Sequence, residues 1–175
     1  MKSYDLDFKE FFEIIWSKEL VTELIIGKIN RQVWWSKLRE KNPVLKELPQ
    51  NFVWDMLEEG NYLDNEILNY IKTLNKLNVG ILSNADVISK VIIKKQTEGL
   101  NLDFIYTSSD FGVAKPNAKI FTRLLEELKK DASECVFFDD SAKNVEGAKK
   151  VGIESYVYQN TKELESIITT LTGNY

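Results

Sequence analysis

Residues 134–158 read ECVFFDDSAKNVEGAKKVGIESYVY, and two structural periods meet inside them. Cys135, Val136, Phe137 and Phe138 make a continuous apolar run with the length of a buried strand, and the chain delivers Asp139 and Asp140 at its C-terminal end. Ser141 is placed to cap a helix whose buried face is Val145, Ala148 and Val151 and which Gly152 ends. A second apolar strand, Ile153 to Tyr158, follows at once. This β-α-β unit sets two carboxylates at the rim where open parallel sheets place their ligands. Adjacent carboxylates repel each other and need a cation, and hard oxygen donors of this kind suit Mg²⁺. The stretch therefore reads as half of a magnesium site, with Asp139 and Asp140 as its acids.

Working upstream, helices and strands alternate as far back as Tyr62. A helix over Asn117 to Lys129 buries Ile120, Phe121, Leu124, Leu125 and Leu128, with Pro116 suited to its first turn. Before it lie the loop Ser108 to Lys115, the strand Phe104 to Thr107 and a helix over Val87 to Gln96. Earlier still come the short strand Val79 to Leu82, ending in Ser83-Asn84-Ala85-Asp86, and a helix over Asn65 to Leu77. A last helix is predicted from about Lys162 to Leu171. Strands alternating with such helices predict a parallel sheet covered on both faces. Right-handed crossovers then bring every strand's C-terminal end to one rim. That rim collects Ser83 and Asn84, Lys115 at a helix start, and the Asp139-Asp140 pair. A hydroxyl, an ammonium and a metal-bound carboxylate pair are what a phosphoryl group needs, because its transition state spreads charge over several oxygens.

The first 62 residues read differently, as a small helical domain set against an α/β core over 63–175. Phe8, Phe11, Phe12, Ile15 and Trp16 recur at helical spacing, and Leu20, Leu24 and Ile25 continue that face to Gly27. A second amphipathic segment, Ile29 to Leu38, carries Val33, Trp34 and Trp35. Pro43 and Pro49 bracket a loop, and Phe52 to Leu57 suggest one more short helix ended by Gly60. Aromatic stripes of this kind read as core. Asp5 and Asp7 read as solvated N-terminal acids, since no apolar strand precedes them.

Composition narrows the function further. The chain has 175 residues, 43% hydrophobic and 29% charged, as a soluble globular protein does. Its net charge of −4 leaves no basic footprint for nucleic acid. No apolar run approaches a membrane span, and the N-terminus lacks a secretory apolar region, so a cytoplasmic location is expected. The single Cys135 sits mid-strand and reads as a small buried hydrophobe. With no histidine, every His-dependent triad, zinc site and imidazole base is excluded.

From Phe8 to Leu171 the chain resembles the haloacid dehalogenase-like (HAD) hydrolases that carry a small helical cap ahead of a Rossmann-like core. Ile81-Leu82-Ser83-Asn84 is similar to the family's second motif, whose Ser binds the phosphoryl group. Gly112-Val113-Ala114-Lys115-Pro116 with Ile120-Phe121 is similar to the third, whose Lys neutralises nucleophile and phosphate. Val136 to Asp140 with Asn144 and Gly147 is similar to the fourth, whose acids hold Mg²⁺. The resemblance implies Ser83, Asn84 and Lys115 as phosphate-binding residues, with Ser83 and Lys115 catalytic. It also implies Asp140 as the direct metal ligand, Asp139 as its supporting acid and Asn144 as a group behind them.

The family's first motif, an apolar strand ending in DxDx(T/V) with the nucleophilic Asp, has no match here. Asp5-Leu6-Asp7 runs into Phe8-Lys9 instead. The expectation is a chain that begins after that strand, a truncated form. The central strand that the resemblance implies and this chain lacks would leave unpaired strand edges in mid-sheet, filled by a surrogate strand, by closure of the neighbours, or by a second chain in a homodimer. A Mg²⁺-dependent phosphatase of a small phosphorylated metabolite is the activity implied for the full-length form. The alternative is a non-catalytic HAD-like module that binds or interacts.

Overall fold

The computed structural model describes residues 8–49, 51 and 64–173. Its strands are β1 (Gly80–Ser83), β2 (Phe104–Thr107), β3 (Val136–Asp139) and β4 (Glu154–Val157). A helix joins β1 to β2 and another joins β3 to β4, and each of these two pairs runs parallel. β1 pairs with β2 in register Gly80 to Phe104 through Ser83 to Thr107, and β3 pairs with β4 from Val136 to Glu154 through Asp139 to Val157. Among the described residues these are two separate two-stranded sheets, and β1 and β3 share no ladder. The neighbouring strands have therefore not closed onto each other.

Helix α4 (Asn65–Ile71) precedes β1, α5 (Val87–Gln96) crosses from β1 to β2, and α6 (Ser108–Phe111) and α7 (Ala118–Leu128) lead from β2 to β3. Helix α8 (Ala142–Lys149) crosses to β4 and α9 (Thr161–Thr172) follows it. The apolar stripe of α7 supplies the centre of the core: Ile120 and Phe121 are completely buried, with Leu82, Ala148 and Ile153 packed around them. Phe121 meets Phe137 of β3 edge to face at 5.2 Å. Full burial of each such side chain contributes about 1.5–3 kcal/mol.

Several boundaries differ from the sequence reading. Helix α7 opens at Ala118 because the Asn117 carboxamide accepts from Lys119 N at 3.0 Å and caps it. Pro116 thus lies before the helix rather than in its first turn, and Lys115 is not at a helix N-terminus. The segment 108–115 contains the helix α6, closed by a capping box between Thr107 and Asp110 and ended by Gly112 at φ +64°. Helix α4 stops at Ile71 and buries no residue fully. The helix read over Phe52 to Leu57, its terminator Gly60, and the acids Asp5 and Asp7 lie outside the described residues.

The N-terminal helices α1 (Phe8–Ile15), α2 (Lys18–Ile25) and α3 (Arg31–Lys41), with a 3₁₀ turn at Pro43–Glu47, have a core of their own. Trp34, Trp35 and Leu38 of α3 are buried against Ile15, Leu20 and Leu45, as aromatic residues at helical spacing should be. Trp16 and Val33 depart from this pattern and are exposed. Two polar contacts tie this bundle to the α/β unit. Arg31 donates to both carboxylate oxygens of Asp86, at 2.7 and 3.2 Å, and to Ser89 Oγ at 3.0 Å. Ser108 Oγ donates to the Ile25 carbonyl at 2.6 Å while accepting from Ala85 N at 3.0 Å. Among the described residues no helix is long and apolar enough to cross a membrane.

Candidate functional site

The C-terminal ends of β1 and β3 converge on one side chain. Lys115, carried by the loop between Gly112 and Asn117, points its Nζ at Asp139 Oδ2 (2.6 Å) and at the Leu82 carbonyl of β1 (2.7 Å). The two side chains of the ion pair are 8% and 6% exposed. A buried ammonium must be paired, and here one strand end supplies a charge and the other a carbonyl. The Nζ also stands 5.4 Å from the centre of the Phe137 ring.

The Lys115 backbone is held as firmly as its side chain. Asn84, two residues past Leu82, accepts from Lys115 N at 2.8 Å and donates to Lys115 O at 2.9 Å. The carboxamide read as a phosphate contact is thus engaged in holding the lysine loop. Helix α8 presses on the same loop at Gly147, where any side chain would run into the Pro116 carbonyl oxygen. Only glycine permits that approach. Ser83 ends β1 half-buried beside these groups.

Asp139 is locked from three directions. Oδ1 accepts from Ser141 N (2.9 Å) and Asn144 Nδ2 (2.8 Å), and Oδ2 accepts from Lys115. Burial pushes its carboxyl pKa up, but the Lys115 ammonium, the Asn144 amide and the Ser141 N–H outweigh that and hold it below the ordinary carboxylate range. Ser141 caps α8 through its position alone, since its side chain makes no capping bond. Asp140 is exposed to solvent.

This donor set fits Mg²⁺ as that ion is ordinarily held, by one or two carboxylates with water and substrate oxygens completing the shell. Asp140 is the accessible carboxylate, and Asp139 beside it is already oriented by its hydrogen bonds. Among the described residues no group of three His, Cys, Asp or Glu side chains forms a ready cluster.

The structure thus brings Lys115, Asp139, Asn144 and Asn84 into one hydrogen-bonded network, with Ser83 and Asp140 at its margins. Two features were not legible beforehand. The Leu82 carbonyl is a backbone partner that no residue type announces, and the Arg31–Asp86 pair joins positions 55 apart.

Comparison with known proteins gives concordant results. A profile described as haloacid dehalogenase-like hydrolase matches residues 6–152. The drimenol cyclase DrtB of Aspergillus calidoustus is 27% identical over 138 residues, 74% of this chain and 25% of that protein. The phosphatase MT3486 of Mycobacterium tuberculosis is 32% identical over 83 residues, 46% of this chain and 38% of that one. The chain therefore spans well under half the length of either relative. A HAD family enzyme of Bacteroides thetaiotaomicron, solved with magnesium and inorganic phosphate, superposes with a TM-score of 0.75 at 21% identity over 90% of this chain and 84% of that one. This last likeness establishes a shared fold.

Proposed function

Because this chain belongs to the haloacid dehalogenase-like hydrolases, we propose that it supplies the phosphate- and metal-holding part of a Mg²⁺-dependent phosphatase acting on a small phosphorylated metabolite. The observation that carries the proposal is the buried Lys115, held at a rim where a strand ends in Ser83 and another in Asp139-Asp140. Phosphatases among its relatives, and the neighbour solved with magnesium and phosphate, support the same chemistry.

In this reading the Ser83 hydroxyl donates to a phosphoryl oxygen, and Lys115 offers its ammonium to the same group. Asn84 positions Lys115 through its backbone. Asp140, with Asp139 beside it, holds Mg²⁺, which when bound offsets phosphate charge. Asn144 and the Ser141 N–H keep Asp139 ionised and oriented. Residues 1–62, which include helices α1 to α3, act as the cap. None of the residues assigned here is the nucleophilic carboxylate, so this set is expected to bind phosphate and Mg²⁺ and to need a further carboxylate for turnover.

Calorimetric titration with Mg²⁺ and with inorganic phosphate tests this. Asp140→Asn should abolish Mg²⁺ binding, and Ser83→Ala should weaken phosphate about tenfold, the loss of one good hydrogen bond. An aryl phosphate with millimolar Mg²⁺ should show no hydrolysis. Phosphate binding indifferent to both Ser83→Ala and Lys115→Met would refute the assignment.

A further inference from the structure

Helix α5 is amphipathic in the reverse of the usual sense. Successive residues turn by about 100°, so Val87, Ile88 and Val91 share one side and Ser89 and Lys90 the other. The polar side is the one held to the protein. Ser89 Oγ accepts from Arg31 at 3.0 Å, and its N–H donates to the capping carboxylate of Asp86 at 2.9 Å. Lys90 Nζ donates to both carboxylate oxygens of Asp110 at 2.7 Å and stands 5.6 Å from the centre of the Tyr106 ring. The apolar side faces out: Val87 is 62%, Ile88 46% and Val91 61% exposed. A surface helix ordinarily turns such residues to the core.

One exposed valine needs no explanation, but three such residues within five positions on one side form a continuous strip. Its chemistry changes along the helix. One turn beyond Val91 come Lys94 and Lys95, both exposed and in the last turn of α5. The next acid, Glu98, lies past the helix end at Thr97. From Val87 to Lys95 the surface is about 12 Å long, apolar at its start and cationic at its finish.

We propose that the outward face of α5 is a docking surface for an acidic amphipathic helix of a different polypeptide, its apolar stripe on Val87, Ile88 and Val91 and its carboxylates on Lys94 and Lys95. A helix suits the surface because side chains at these spacings make a ridge that packs into the groove of another helix. Carboxylates follow from charge complementarity with the two lysines. A second copy of α5 is the wrong partner on the same ground. Laid antiparallel on the strip, it would bring the positive end of its dipole to Lys94 and Lys95; laid parallel, it would set lysine against lysine. The inference stands on the exposed face of α5 and does not depend on the phosphatase reading.

Fluorescence anisotropy on the full chain tests it, with a labelled synthetic helix of about 18 residues as probe, Leu on one face and Glu and Ala elsewhere, and a twin carrying Lys for every Glu. The Glu peptide should bind saturably and the Lys twin at least about tenfold more weakly. Val91→Asp and Val87→Asp, both at exposed positions, should each weaken the Glu peptide at least about tenfold while leaving the melting temperature within about 2 °C. Lys94→Glu combined with Lys95→Glu should reverse the preference between the twins. No binding of the Glu peptide, equal binding of the twins, or binding unchanged by Val91→Asp overturns the proposal. Two further results overturn it in favour of another occupant: self-association in sedimentation velocity that Val91→Asp removes, or cosedimentation with vesicles of phosphatidylcholine and phosphatidylglycerol in place of peptide binding.

Discussion

Replacing Lys115 by Met removes the charge that compensates Asp139 while nearly conserving side-chain length. Breaking a buried ion pair from one side costs about 3–5 kcal/mol. Asp139 keeps two of its three donors, Ser141 N and Asn144 Nδ2, which places the loss at the low end, about 3 kcal/mol. The Leu82 carbonyl also loses its lysine partner, worth about 1 kcal/mol more. With a urea m-value of about 2 kcal/mol/M, the midpoint of unfolding should fall by about 1.5–2 M. The sign of the pH dependence is fixed by Asp139, whose folded pKa lies below its unfolded value of about 3.9. Its contribution is complete above that unfolded value and disappears as pH falls through the folded one. The gap between wild type and Lys115→Met should therefore be full at pH 7 and shrink below about pH 4. Adding Asp139→Asn to Lys115→Met should recover part of the loss, because no unpaired charge is then buried. A loss below about 1 kcal/mol, or a gap equal at pH 7 and pH 3, would refute the pair as a buried electrostatic contact.

Gly147→Ala should cost about 1–3 kcal/mol in thermal unfolding, because the new methyl meets the Pro116 carbonyl rather than a yielding side chain. Arg31→Ala leaves Asp86 buried without its bidentate partner, so about 2–4 kcal/mol should be lost in urea titration and cleavage between the helical bundle and the α/β unit should quicken under limited proteolysis. Burial raises the Asp86 and Asp110 carboxyls, but Arg31 with Ser89, and Lys90 with Thr107, together outweigh it and depress them. Their stabilisation too is present above about pH 4 and lost on acidification, so wild-type stability should decline from there downward in a pH series of melts. Asp140→Asn, at an exposed position, should leave the melting temperature unchanged within about 1 °C while removing Mg²⁺ binding.

Periodicity carried much of the fold. The stripe Ile120, Phe121, Leu124 sets the face of α7, and the apolar run before Asp139 sets β3, because 3.6- and 2-residue repeats are properties of the chain itself. Motif order likewise brought Ser83, Lys115 and Asp139 to one rim before any coordinate was known. What sequence could not supply were contacts between elements distant along the chain. Asn84 reads as a turn residue or a phosphate contact, and only the approach of the Gly112–Asn117 loop shows both its amide groups engaged by Lys115. Asp139 and Asp140 are chemically identical neighbours, and strand pairing alone turns one toward the lysine and the other to solvent. Whether β1 and β3 meet or stand apart depends on hydrogen bonds between residues more than 50 positions distant, which no local pattern encodes. Residue type determined which groups can do chemistry at this rim; packing decided which of them are already bound to one another and which remain open to a ligand.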